Sequence, residues 1–299
     1  MQVGIGLKSQ AYTPEAYAYA DYLTQKGVAV QLEHESLLDL NNDINIYFMG
    51  IRPFWEKRKG RALEVHEYQS LSTGKFPIFK DYVKRTANRK PAGRIFLNET
   101  VGENLGFSDD VPYIYRDMGV DESLFQKPDV NPEYDIVYCG SVNGRVGLVE
   151  EIERLAKIGF TLLIIGEVSA EVLGVFKKYS NVTFTGRVSR DELPGLYRKC
   201  KAGLNYTPDI YPFNIQTSTK TLEYLASGLI VISNRYEWVD NFFSRNNISF
   251  LLIDDVVNLE SIRDLSNDFF VSLKGFSWVD VLESSSFFMF LEALFNGSN

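Results

Sequence analysis

The sequence predicts an α/β protein made of two doubly wound halves, each a parallel sheet flanked by helices. Three observations carry that prediction. The chain opens strand–helix–strand. From about residue 129 onward, short apolar runs alternate regularly with helical spacings. Between the halves, residues 127–132 (KPDVNP) place two prolines in six positions, which forbids helix and reads as a linker.

Taken in order, residues 2–7 form the first strand. A helix follows at 14–26, with Tyr17, Ala20 and Leu23 at helical spacing and Gly27 to end it. Further strands are predicted at 28–32, 44–49, 94–98 and 112–115, with a helix at 79–90. The stretch 65–70 (VHEYQS) places His66 and Glu67 near a strand end. In the second half, strands fall at 136–139, 160–165, 181–185, 202–206, 229–233 and 249–253. Helices fall near 147–158, 169–179, 189–199, 219–227 and 236–246. Such alternation implies a ligand at the carboxyl ends of the strands, at a topological switch point.

The stretch the rest is organised around is 202–233, AGLNYTPDIYPFNIQTSTKTLEYLASGLIVIS. It reads as strand, long loop, helix, strand. Leu222, Leu225 and Ala226 share one helix side, Gly228 supplies the left-handed residue after the helix, and 229–233 suits a buried parallel strand. Thr217, Ser218 and Thr219 start the helix, so its free N–H groups and dipole make an anion site. Lys220 adds a full charge at that end. Glu223, three residues on, shares its face, and a carboxylate there can accept both hydroxyls of a ribose diol. An ordinary capped helix with an i,i+3 ion pair would read the same way.

TKTLEYLASGLIVIS at 219–233 resembles the K-x-x-E-Y-x-A-x-G-x-P-V-I segment of GT-B fold glycosyltransferases, especially glycosyltransferase family 4 (glycosyl transferases group 1). The resemblance implies two Rossmann-like domains facing a cleft, with Glu223 on the ribose of a nucleotide-sugar and Ser218, Thr219 and Lys220 at its diphosphate. It extends further. CGSVNGRVG at 139–147 is similar to a glycine-rich loop whose basic residue contacts the diphosphate, which implies Gly140, Ser141 and Arg145. IIGE at 164–167 resembles I-x-G-x-G and implies Gly166, with Glu167 in place of the second glycine. NVTFTGRV at 181–188, followed by DEL and LY, resembles a segment whose main chain after the glycine reads the base edge, which implies Arg187 and Val188. RDMGVDESLF at 116–125 resembles the P-N-G-V-D-x-x-x-F end of the first domain, and FSW at 276–278 the start of the last helix, which often crosses back to that domain. Two departures matter. KSQAY at 8–12 stands where the family often has a Gly-Gly pair. Ile215 stands where many retaining members carry a first Glu, with Asp209 and Asn214 nearby as polar alternatives for the sugar.

Composition sets bounds. With 299 residues, 45% hydrophobic and 14% aromatic, the chain suits one or two globular domains. A net charge of −8 argues against a general nucleic-acid binder. Two cysteines, Cys139 and Cys200, make no disulfide framework and suggest a reducing compartment. No run is long enough to span a membrane, and MQVGIGLKSQ lacks the features of a signal peptide. His66 and Glu67 are the candidate general bases for an acceptor hydroxyl, or else a hydrogen-bonded structural pair. Between Arg52 and Arg94, twelve Lys/Arg face four acids, a net of +8, with Phe54 and Trp55 beside the first cluster. That suits an anionic membrane surface or a phosphate-linked lipid acceptor, or a set of solvated helix faces.

The reading is therefore a glycosyltransferase with an acceptor-side domain at 1–128, a nucleotide-sugar domain at 129–275 and a returning helix at 276–299. It is expected to be cytoplasmic, with a peripheral place at the inner face of the membrane left open. The nucleotide-sugar, UDP-linked more than GDP-linked, is a co-substrate, and neither cofactor nor metal is expected, since no suitable Asp-x-Asp pair occurs. Arg145 and Lys220 would carry the catalytic charge. The acceptor would be a saccharide or lipid-linked saccharide of a cell-surface polysaccharide. The alternatives are a sugar-nucleotide epimerase on the same fold and a non-catalytic partner subunit.

Overall fold

The computed structural model describes residues 1–8, 13–57, 59–265 and 275–297. Residues 9–12, which hold most of the loop expected in place of a Gly-Gly pair, lie outside them. The chain divides into two compact units, Met1–Gly119 with Gly275–Asn299, and Val120–Lys274.

The first unit holds a six-stranded sheet of β1 (Gln2–Leu7), β2 (Ala29–His34), β3 (Ile44–Phe48), β4 (Leu63–Tyr68), β5 (Gly93–Phe96) and β6 (Tyr113–Tyr115). The strand order is β2-β1-β3-β4-β5-β6 and every pairing is parallel. Its early helices are α1 (Pro14–Gln25), α2 (Pro77–Ala87) and α3 (Glu99–Leu105). The middle strands are covered on both faces, so β3 and nearly all of β4 are buried. That is the normal condition of a parallel sheet flanked by helices.

The second unit repeats the plan with β7 (Tyr134–Cys139), β8 (Leu162–Ile165), β9 (Val182–Gly186), β10 (Cys200–Asn205), β11 (Ile230–Ser233) and β12 (Leu251–Leu252). The order is β12-β11-β10-β7-β8-β9, again all parallel. In chain order that is the dinucleotide-fold arrangement, whose switch point lies between its first and fourth strands, here β7 and β10. The helices are α4 (Leu148–Ile158), α5 (Ala170–Phe176), α6 (Leu193–Arg198), α7 (Thr219–Ala226), α8 (Glu237–Asn246) and α9 (Glu260–Arg263). α4 shows how the core is made. Leu148, Ile152, Leu155 and Ala156 repeat at helical spacing, are buried, and join Ile136, Leu204 and Ile232 from the strands.

Two boundaries differ from the sequence reading. The first unit ends at Gly119, before the proline linker, because the intervening residues bond to the second unit. Gln126 N–H donates to Ala226 O, Ser227 Oγ to Leu124 O, and Arg198 pairs with Asp129. The expected last helix is two helices, α10 (Trp278–Ser284) and α11 (Phe287–Asn296), parted where Ser286 takes a left-handed φ of 54°. Both belong to the first unit. Phe287 packs on Tyr19 with ring centroids 4.4 Å apart, and Trp278 lies over Gly119 so closely that a Cβ there would fall 2.5 Å from the indole. That contact is a structural reason for glycine at 119.

Candidate functional site

The switch point of the second unit opens into a cavity of about 360 Å³. The carboxyl ends of β7 and β10 supply Tyr138, Cys139, Leu204 and Asn205, the loop before α4 supplies Gly144 and Arg145, and the approach to α7 supplies Gln216 through Lys220. Four residues singled out by sequence, Arg145, Ser218, Thr219 and Lys220, thus line one cavity.

The tip of α7 is held from below. Ser218 caps the helix, its Oγ accepting from Thr221 N at 3.3 Å. That hydroxyl donates to Asn205 Oδ1 at 2.9 Å. The Asn205 amide in turn donates to Ser233 Oγ and Tyr236 OH, both at 2.9 Å. Asn205 is 4% exposed, so the ends of β10, β11 and α8 fix the helix start through one buried amide. The cap leaves the other first-turn N–H groups of α7 aimed at the cavity end, the arrangement that favours an anion.

Lys220 Nζ lies 2.6 Å from Glu223 Oε2, and that same oxygen accepts from Tyr197 OH at 2.9 Å. Burial, reinforced by Glu223, pushes the Tyr197 hydroxyl well above its usual range, so it stays a donor. Glu223 itself is 8% exposed and lies one turn behind the cavity wall. Arg145 is exposed and its Nη1 donates to Tyr206 O at 3.0 Å. Gly147 stands where the φ of +86° suits glycine, and an added Cβ would lie 2.1 Å from the Tyr206 hydroxyl. Burial raises the Cys139 thiol, which keeps it protonated and unreactive.

The other sequence candidates sit at neighbouring strand ends rather than in this cavity's wall. Gly140 and Ser141 follow β7, Gly166 follows β8, and Arg187 and Val188 follow β9. Gly166 N–H donates to Gly186 O at 2.9 Å, and Arg187 pairs with Glu167 at 2.9 Å in solvent. Asp209 is exposed, whereas Asn214 has a buried Oδ1 without a partner among the described residues, next to the cavity residue Phe213.

His66 and Glu67 require a correction. Both lie in β4 at 0% exposure, in the first unit. His66 Nε2 donates to Glu64 at 3.3 Å, and burial lowers its pKa so that the ring is held neutral. Glu67 is bound by the fully buried Arg116 guanidinium. Burial pushes its pKa up while Arg116 pulls the other way. A general base must come within hydrogen-bond reach of its substrate. These two side chains point to opposite faces of a strand covered on both sides, and each serves a separate buried structural pair, His66 with Glu64 and Glu67 with Arg116.

Asn205, Tyr197 and Tyr206 were not singled out from sequence. Asn205 closes the buried apolar run Ala202–Leu204, and a buried polar residue at that strand end is the signal that could have found it.

Residues 145–265, all within the second unit, match the family described as glycosyl transferase-like. Over its whole length the chain is similar to AviGT4, a glycosyltransferase involved in avilamycin A biosynthesis. The two are 15% identical with a TM-score of 0.64, and the match covers 99% of this chain and 98% of that one. The chain has the GT-B fold. Two further GT-B structures resemble it. HepE of Anabaena, solved with UDP and glucose, is 12% identical with a TM-score of 0.57, covering 99% of this chain and 98% of that one. WaaG, a glycosyltransferase involved in lipopolysaccharide biosynthesis, is 12% identical with a TM-score of 0.54, covering 100% and 98%. No curated protein matches the chain by sequence. In this GT-B chain the cavity occupies the sheet position where such a fold receives its ligand.

Proposed function

We propose that this GT-B chain moves a sugar from a nucleotide-sugar, UDP-linked by preference, to a hydroxyl acceptor. The observation that carries the reading is the convergence of Arg145, Lys220 and the capped tip of α7 on one cavity at the β7/β10 switch point. In transfer, the bond between the sugar's anomeric carbon and the phosphate oxygen breaks and the diphosphate leaves with that electron pair. Two cations and a helix dipole fixed beforehand would stabilise that charge as it forms, so this reading assigns the task to the chain rather than to a metal. Glu223 would meet the ribose diol. Its Oε2 already takes two hydrogen bonds, so the diol would use Oε1 or displace Lys220 toward the diphosphate.

The presence of UDP and glucose in HepE supports the UDP preference. The role of WaaG in lipopolysaccharide biosynthesis supports a saccharide or lipid-linked saccharide acceptor of a cell-surface polysaccharide. A cytoplasmic protein working at the inner face of a membrane fits both.

A second reading has one specific observation behind it. Among the described residues, those lining the cavity include no carboxylate and no imidazole. That disfavours an epimerase, which needs acid–base groups at the sugar, and suits a non-catalytic partner subunit that keeps the fold and binds UDP weakly or not at all. A thermal-shift panel of UDP-, GDP-, ADP- and CMP-sugars tests the binding, and release of UDP in the presence of acceptor saccharides tests the transfer. Stabilisation by UDP-sugars together with UDP release supports the transferase. No stabilisation by any nucleotide-sugar contradicts the transferase and supports the partner, and stabilisation without release under every acceptor contradicts transfer.

A further inference from the structure

In the first unit, α2 buries one carboxylate and leaves several large apolar side chains exposed. Its one buried position is Asp81, which is 5% exposed, accepts Ser72 N–H with both carboxylate oxygens, and pairs with the half-buried Lys84 at 3.4 Å. Its exposed positions combine three large apolar residues with Lys80, Arg85 and Thr86. Ile78, Phe79 and Tyr82 are 73%, 65% and 52% exposed, and at 100° per residue they fall on one side, opposite Lys84. Phe76, at the helix start, is 76% exposed. The segment before β4 adjoins the C-terminal end of α2. Phe54 N–H donates to Ala87 O and Arg89 N–H to Arg52 O, so 52–54 is stitched to the end of α2, and Phe54 and Trp55 project as a paired T-shaped cluster, each 65% exposed.

Soluble proteins rarely leave such a run of large apolar side chains to water without an occupant. Its charge selects the occupant. Between residues 51 and 86 the exposed described residues include six cations, Lys57, Lys59, Arg61, Lys75, Lys80 and Arg85, and one acid, Glu56, within a chain of net charge −8. A second copy of the same face would bring like charges together. An anionic bilayer offers both a medium for the aromatic and aliphatic tips and a counter-charge for the basic rim.

We propose that α2 and the Phe54–Trp55 tip form a docking face for an anionic lipid surface, with Ile78, Phe79, Phe76 and Trp55 entering the headgroup boundary. The inference goes beyond the transferase reading and stands without it, because it involves no residue of the second unit.

The test is co-sedimentation of the full chain with vesicles of phosphatidylglycerol and phosphatidylcholine, and of phosphatidylcholine alone, at low and high salt. Binding to the anionic vesicles is expected, weakened by salt, with a blue shift in the emission of Trp55, the most exposed of the three tryptophans. I78S/F79S should lower the partition coefficient about tenfold or more, and K57Q and K75Q about fivefold each. All four positions are exposed, so unchanged melting temperature and UDP response verify that the variants fold. Three results overturn the proposal: no sedimentation with anionic vesicles at low salt, equal binding to neutral vesicles, or a concentration-dependent dimer that I78S/F79S abolishes while vesicles bind nothing. The last would assign the face to a second copy. Because nucleotide binding is read separately, loss of either reading leaves the other intact.

Discussion

Replacing Lys220 with alanine isolates the charge at the tip of α7. The ammonium pairs with Glu223 at 2.6 Å, with side-chain exposures of 29% and 10%. A pair that solvent still screens in part contributes about 0.5–1 kcal/mol. Tyr197 also stays on Glu223 after the change, so the carboxylate is not left bare. Melting temperature should therefore fall by about 1–4 °C. Binding should suffer more. A charged hydrogen bond to a diphosphate is worth about 1.5–3 kcal/mol, so the Kd for UDP should rise by roughly 10–150-fold. Titration calorimetry of wild type, Lys220→Ala and Lys220→Arg reads this directly, with arginine recovering part of the loss. An unchanged UDP affinity in Lys220→Ala, with the melting temperature lowered as above, would show that the lysine serves only the helix and would refute the reasoning.

Asn205→Ala should cost about 2–3 kcal/mol of stability, because Ser218, Ser233 and Tyr236 lose a buried partner; it should also weaken UDP binding, and a denaturation midpoint equal to wild type would count against the cap network. Gly147→Ala should cost about 1 kcal/mol through its positive φ and displace Tyr206, weakening nucleotide binding; normal UDP affinity in that variant would separate the loop from the site. The first unit should lose stability as pH falls below 6.5. Burial lowers the His66 pKa, so the unfolded chain takes up that proton before the folded one does. Burial alone would raise Glu64, but hydrogen bonds from His66 and Arg52 and the Arg89 charge bring it down to about 2, which adds a further loss between about 4.5 and 2. Urea midpoints at pH 7.5, 6.0 and 5.0 check this, and His66→Gln should flatten the first part of the dependence. Equal midpoints at 7.5 and 5.0 would contradict it.

Much of the fold is legible because its pattern is local. The strand–helix alternation of the second half, the glycine after α7, and the run from Ser218 to Lys220 are short-range features that backbone propensities and the helix dipole dictate. What was not legible depends on partners far along the chain. VHEYQS looks like the end of a strand reaching a site, yet β4 is covered on both faces and its polar residues meet Arg52, Arg89 and Arg116, the last of them 49 positions away from Glu67. Asn205 gains its meaning only when β11 and the start of α8 arrive 28 and 31 residues later. The basic stretch between Arg52 and Arg94 is evident in the sequence, but which side of α2 faces water is set by Asp81 reaching back to Ser72. Nothing within the helix itself forces that orientation. The break at Ser286 is similar, since a left-handed serine has no strong local signature.

The most direct test of the central claim is a crystal of the full chain soaked with UDP. The account predicts density for the two phosphates against the N-terminus of α7, with Lys220 turned from Glu223 toward them and Arg145 released from Tyr206. UDP bound elsewhere, or a cavity at the β7/β10 switch point that stays free of nucleotide at saturating concentration, would contradict it.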